Sequence, residues 1–359
     1  MPSTEQDSQA FVKSPNISCT DVVLNLTLRC PLRCSHCCYR SGAEMSQAMD
    51  EQQMTGVIHD AASLGSVRTI HFSGGEPFLL PKQLMSGISL ATRLGMRTAV
   101  VTSAFFAKSP WRAMKMLEPV VAAGLSEISV SYDDMHAIFV SPGHLINVIE
   151  CARALSLKAF VSVTVEPGSR IDGAFVRQLL NISPDEPGVR VFEVGINTTG
   201  RAADHVDELV LSKRAASALV YHGPCRTVLR TIQVTVDGRV LPCCGVLPHC
   251  DTMTIGNAFK PRGLLEAVEA ASKSPIWRVI AIKGPVQMVA EAMDGPTAAI
   301  NKCEFDGICS ACDRLFNDPV LLTRVRQRAA RTPPNQFISE DGDEVVDSLG
   351  VSPKPVRSC

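Results

Sequence analysis

The sequence predicts an α/β protein built on a parallel sheet, and three observations carry that reading. Short apolar runs rich in β-branched residues recur near residues 22–28, 69–73, 97–103, 127–132, 159–165 and 190–196. Helical patterns fill the intervals, so the chain alternates strand with helix, and right-handed crossovers then make the strands parallel. Apolar residues form 45% and charged residues 20% of the 359, which is ample for a large core.

The elements follow in order. Asp21 to Leu28 partly alternates and is rich in branched side chains, as a half-buried or buried strand requires. Met54, Val57, Ile58 and Ala61 repeat at helical spacing, with Gly65 placed to end that helix. A later helix runs through Leu145, Val148, Ile149 and Ala152, opened by Ser141 as cap and Pro142 as first helical residue. Cys151 lies beside its apolar stripe and, with Cys19 and Cys38, reads as an ordinary buried or loop thiol.

Chemistry enters at the end of the first strand. Cys30, Cys34 and Cys37 stand at C-x3-C-x2-C spacing, in a loop at the strand end where α/β folds place their ligands. Three thiolates so spaced can hold three irons of a [4Fe–4S] cluster and leave the fourth iron open. Cys38 offers a fourth sulfur, so a structural zinc site is the competing reading. Zinc sites are usually built from separated knuckles, and the adjacent Cys37 and Cys38 tend to point apart. The next strand ends in Gly74-Gly75-Glu76-Pro77, where two glycines let backbone approach a ligand without a Cβ in the way.

Together, the cysteine triad and the Gly-Gly-Glu-Pro segment resemble the radical S-adenosylmethionine (radical SAM) superfamily. The resemblance implies a partial (β/α)6 TIM-like barrel, a fold that the six strand–helix repeats match. It also implies that Cys30, Cys34 and Cys37 ligate the cluster, that S-adenosylmethionine chelates the open iron, and that Gly74, Gly75, Glu76 and Pro77 line its methionine moiety. Reductive cleavage would then give a 5′-deoxyadenosyl radical that takes hydrogen from a substrate C–H. At the fourth strand's end, Ser131 and Asp133 are the candidates for the ribose hydroxyls. Thr102 and Ser103 depart from the family's third-strand pattern, and His36 stands where the family often carries an aromatic residue. Glu166 and Asn197 to Arg201 complete the rim.

A second cysteine group lies in the C-terminal third. Cys225 is followed by twelve residues, Gly238, four more residues and Cys243. This resembles the opening of the SPASM and twitch domains, which add iron–sulfur clusters to the radical SAM core. Asp237-Gly238 between apolar runs is a hairpin signal that would draw Cys225 towards Cys243. Seven cysteines fall between 225 and 312, whereas two fully ligated clusters would need eight. The favoured arrangement is one auxiliary [4Fe–4S] cluster on Cys225, Cys243, Cys309 and Cys312, with a zinc ribbon as the alternative. The surplus Cys244, Cys250 and Cys303 are candidates to donate a hydrogen atom to a substrate radical.

The expected organisation is a polar N-terminal tail at 1–15, a core at 16–215, a smaller cysteine-rich auxiliary-cluster domain at 216–330, and a polar, disordered tail at 331–359. A formal net charge of −1 argues against nucleic acid or an anionic membrane as partner. With no span or secretory signal in view, fourteen cysteines fit a reducing cytoplasm as metal ligands better than as disulfides. The leading functional expectation is modification of a ribosomally made peptide by crosslinking, epimerisation or oxidation, with a flavodoxin- or ferredoxin-type reductant. Dehydrogenation or epimerisation of a small molecule such as an aminocyclitol or sugar is the alternative, and a non-enzymatic Fe–S or zinc protein is a third.

Overall fold

The structure is a computed structural model that describes residues 18–183, 186–205, 221–245, 251–293 and 305–331. Six parallel strands follow one another across the sheet: β1 (Asp21–Thr27), β2 (Thr69–Gly74), β3 (Arg97–Thr102), β4 (Glu127–Ser131), β5 (Lys158–Val165) and β6 (Val189–Gly195). Each lies within about two residues of the run read from sequence. The helices between them are α1 (Glu51–Ser63), α2 (Pro81–Arg93), α3 (Pro110–Ala122), the single turn α4 (Asp134–Ala137), α5 (Pro142–Ala154) and α6 (Gly173–Leu179).

Local chemistry sets these boundaries. Asp50 and Gln53 close α1 with a reciprocal capping box, and Gly65 leaves the helix at φ +67°. Prolines begin α2, α3 and α5, where a missing N–H costs nothing. Ser141 does stand at the N-cap of α5, but its hydroxyl pairs with His144 Nδ1 at 3.0 Å rather than capping a backbone N–H. One face of the sheet is apolar: Val22, Leu24, Leu26, Ile70 and Phe72 are fully buried. A Cβ on Gly87 of α2 would meet both the Phe72 ring and Met54, so glycine is what lets α2 sit this close to sheet and α1. The opposite face carries the polar side chains of these strands: register pairs Asp21 with Thr69 and Asn25 with Ser73, while His71 pairs with the apolar Val23.

The sheet does not stop at the core. After residue 221 the chain returns as β7 (Thr231–Val234), parallel to β1, and continues through β8 (Arg239–Leu241) and β9 (Gly256–Asn257) in antiparallel pairing. The order is β6-β5-β4-β3-β2-β1-β7-β8-β9, nine strands in one sheet. The cysteine-rich region expected as an appended unit thus extends the core sheet from its first strand. Gly238 turns the β7–β8 hairpin at φ +83°, at the Asp237-Gly238 pair read as the turn.

Among the described residues five helices follow in the C-terminal region: α7 (Gly263–Lys273), α8 (Pro275–Ile282), α9 (Pro285–Ala292), α10 (Ile308–Asn317) and α11 (Pro319–Arg331). Trp277 stacks on Phe316 with ring centroids 5.2 Å apart, joining α8 to α10. Asp60 of α1 accepts from the Leu264 N–H at 3.2 Å, which ties the first turn of α7 to the core. Arg331 is the last residue of α11, so the chain there is helical where a tail was expected. The tails themselves, Cys250, Cys303 and the 215/216 boundary lie outside the described residues.

Candidate functional site

β1 delivers the chain to a loop that folds back on itself. Leu28 N–H donates to Gln47 O at 2.9 Å and Cys30 N–H to Gly42 O at 3.0 Å. Two successive turns follow, Cys37 N–H to Cys34 O and Arg40 N–H to Cys37 O, both 3.2 Å. Cys30 and Cys34 are buried and Cys37 is half-buried. Burial pushes the Cys30 thiol up to about 12, and the nearby Glu76 carboxylate and the Cys34 and Cys37 sulfurs add to the rise. Three thiols therefore converge in a dry loop, none of them in a disulfide.

β2 ends against the same loop. Gly75 N–H donates to Thr27 O at 2.5 Å and Glu76 N–H to Arg29 O at 2.9 Å, lacing the Gly-Gly-Glu segment to the chain that enters the cysteine loop. Gly74 sits at φ +118°, and a Cβ there would strike Thr27 O; a Cβ on Gly75 would strike Arg29 O. Both positions need glycine for this close approach.

Glu76 explains the next residues. Its carboxylate is fully buried and takes four donors: the Phe78 N–H at 3.2 Å, Thr102 Oγ1 at 2.8 Å, and Ser103 N–H and Oγ at 2.9 and 2.6 Å. Burial pushes its pKa up, and the four donors oppose that shift. Thr102 and Ser103, the pair that departs from the family pattern, are here the anchor of the Glu76 side chain.

At the end of β4, Ser131 is half-buried on the polar face. Asp133 differs: its side chain is wholly buried and caps α4, accepting from the Met135 and His136 N–H groups at 3.0 and 2.9 Å and from His136 Nδ1 at 2.8 Å. His36 Nε2 approaches its other oxygen at 3.5 Å, and the His36 and His136 rings meet edge to face. Burial lowers the His136 pKa, but hydrogen bonds to Asp133 and Cys34 outweigh it and raise it to about 10. His36, Asp133 and His136 present ligand atoms within 4.8 Å of one another. With one Asp133 oxygen already holding three donors, the group reads as a hydrogen-bond network beside Cys34. Asp133 is thus buried, with Oδ1 committed to these three donors. Sequence reasoning missed His136, which lies in a four-residue helix with no periodic signal.

The second cysteine group gathers too. Burial pushes the Cys312 thiol well up, and the neighbouring Cys225, Cys243 and Cys309 sulfurs raise it further. Cys309 is raised in the same way, by burial and then by Cys243, Cys225 and Cys244. Cys225 and Cys243 flank the β7–β8 hairpin, and Cys309 and Cys312 share α10, one turn apart. Burial raises Cys38, and the Cys37 and Cys244 sulfurs add to it; Cys244 is raised by burial and then by Cys225.

Residues 24–164 match the Radical SAM superfamily. The chain carries a radical SAM domain. That domain works with a [4Fe–4S] cluster and S-adenosylmethionine, and the donor set fits: three converging sulfurs, and a glycine pair packed against the loop that bears the first of them. The chain is 22% identical over 316 residues to the putative peptide biosynthesis protein YydG of Bacillus subtilis strain 168, covering 82% of this chain and 92% of that protein. It is 36% identical over 115 residues to the PqqA peptide cyclase of Gluconobacter oxydans strain 621H, a match spanning 32% of this chain and 30% of the cyclase. In fold it is similar to anSMEcpe, solved with AdoMet and the Cp18Cys peptide. There the TM-score is 0.53 and the identity 12%, over 87% of this chain and 99% of that one. Among the described residues no helix is long and apolar enough to cross a membrane.

Proposed function

We propose that this radical SAM enzyme modifies a ribosomally made peptide, with Cys30, Cys34 and Cys37 holding the catalytic cluster. The observation that carries the reading is the lacing of Gly75 and Glu76 to Thr27 and Arg29, which joins the glycine pair to the cysteine loop. Similarity to YydG and the PqqA peptide cyclase supports a peptide as the substrate class. With cluster and S-adenosylmethionine bound, reductive cleavage supplies methionine and a 5′-deoxyadenosyl radical that takes a hydrogen atom from a substrate C–H.

The chain's own residues divide the work. Gly74 to Pro77 line the methionine moiety, with Glu76 turned inward to hold that segment on Thr102 and Ser103. Ser131 faces the ribose, and Asp133 keeps His36 and His136 in place beside Cys34. Cys225, Cys243, Cys309 and Cys312 hold one auxiliary [4Fe–4S] cluster. Cys244 is the candidate hydrogen donor within the described residues. A cytoplasmic setting keeps these thiols reduced, and a flavodoxin- or ferredoxin-type protein supplies the electron.

Anaerobic reconstitution tests the reading. Incubation with S-adenosylmethionine and dithionite should yield 5′-deoxyadenosine and methionine, and Cys34→Ala should yield neither. A reconstituted chain that carries zinc, or holds iron without cleaving the sulfonium, refutes it. The peptide assignment is checked separately, by the mass change of short peptides encoded beside the gene.

A further inference from the structure

Arg201 lies just beyond β6, far in sequence from the cysteine loop, and nine-tenths of it is buried against that loop. Its Nη1 donates to Cys34 O and its Nη2 to Ser41 O, both at 2.6 Å. Its backbone N–H donates to Cys37 O at 3.0 Å. One residue earlier, Gly200 sits at φ +62°, and a Cβ there would fall 2.5 Å from Cys37 O and 2.6 Å from Cys38 Cα. The segment is therefore pressed backbone to backbone against the loop. Arg40 and Asp204 add an outer fork at 2.5 and 2.6 Å, nearer to solvent.

This arrangement places a permanent positive charge where a cluster-binding loop turns. A guanidinium presents several donors in a rigid fork and stays charged at any working pH. Among the described residues the guanidinium's partners are carbonyl oxygens, which bring no full negative charge, and a buried cation without a counter-charge is costly. Three thiolates and their cluster would bring negative charge to the same loop, and nearby charge and hydrogen bonding set the potentials of such clusters.

We infer that Arg201 is a positioning residue that straps the Cys34–Ser41 turn into its ligating shape and supplies a resident counter-charge to the cluster bound there. The inference rests on the assignment of Cys30, Cys34 and Cys37 as cluster ligands. Lysine at this position keeps the charge and loses the fork; glutamine loses both.

The test compares wild type, Arg201→Gln, Arg201→Lys and the outer-strap variant Arg40→Ala. In the apo chain, hydrogen exchange over residues 34–41 should quicken by roughly tenfold or more in both Arg201 variants, as expected when a charge-assisted hydrogen bond is lost. In reconstituted protein, the midpoint potential is read on the EPR signal that responds to S-adenosylmethionine. It should fall in Arg201→Gln, stay near wild type in Arg201→Lys, and stay unchanged in Arg40→Ala. Wild-type exchange and potential in Arg201→Gln would overturn the inference, as would an equal fall in Arg201→Lys. If Arg201→Gln does not fold, a fall in Arg201→Lys itself overturns the counter-charge. A wild-type protein without any signal responsive to S-adenosylmethionine refutes the site assignment instead, while exchange in the apo chain still tests the strap.

Discussion

Replacing Glu76 by glutamine isolates the hinge on which the Gly-Gly-Glu-Pro segment turns. The side chain keeps its shape, but one oxygen becomes an amide nitrogen that can only donate. Oε1 now faces the Phe78 N–H and Thr102 Oγ1; Oε2 faces the Ser103 N–H and Oγ. Whichever oxygen is replaced, one backbone N–H meets a donor, while the neighbouring hydroxyl can rotate to accept. A buried donor left without a partner costs about 1–3 kcal/mol, so Glu76→Gln should destabilise the apo chain by that amount. Glu76→Ala strips all four bonds and leaves two buried N–H groups unpaired, so it should cost roughly twice as much. Urea unfolding under anaerobic conditions, read as the change in midpoint at constant slope, measures both. Because the segment is laced to Thr27 and Arg29, the loss should also weaken binding of S-adenosylmethionine in the reconstituted enzyme. A Glu76→Gln variant as stable as wild type, within about 0.5 kcal/mol, would refute the accounting.

Three further perturbations read other parts of the molecule. Gly75→Ala places a methyl against Arg29 O and should cost about 1–3 kcal/mol by the same unfolding assay, with reduced iron uptake on reconstitution. Cys19 is a buried thiol outside both cysteine groups, pushed up to about 12 by burial and then by the Asp21 charge. Since the folded chain holds that proton more tightly than the unfolded one, its stabilising contribution is complete below about pH 9 and is lost as pH rises towards 12. Cys19→Ala should flatten the alkaline fall in stability, and an unchanged slope would show that other thiols carry it. Cys243→Ala should lower iron by about four per chain while production of 5′-deoxyadenosine persists, as iron analysis and product chromatography would show.

Much of the core was legible because its signals are local. Branched runs such as Asp21–Thr27 and turn residues such as Gly65 and Gly238 act within a few positions of themselves, so they survive the absence of a fold. The parallel docking of β7 on β1 has no such signature: it pairs Asp21 with Thr231, and nothing near either residue announces the other. The same distance hid the partner of Glu76, because Thr102 and Ser103 look like ordinary strand-end hydroxyls until β2 and β3 lie side by side. The capping role of Asp133 was hidden for a related reason. An acidic residue at a strand end looks available to a ligand, and only the turn that follows reveals that its Oδ1 is already committed to two backbone donors. Cysteine spacing told which sulfurs share a loop, whereas the convergence of Cys225 and Cys243 with Cys309 and Cys312 depends on a helix more than sixty residues downstream.

β1 has β2, which ends at Gly74, on one side and β7, which leads towards Cys243, on the other. Its backbone thus acts as a ruler. The spacing between the two sulfur nests is set by hydrogen-bonded rungs rather than by a tether that could stretch. If each nest holds a cluster, a slip of one rung on either side of β1 would change the gap an electron has to cross between them.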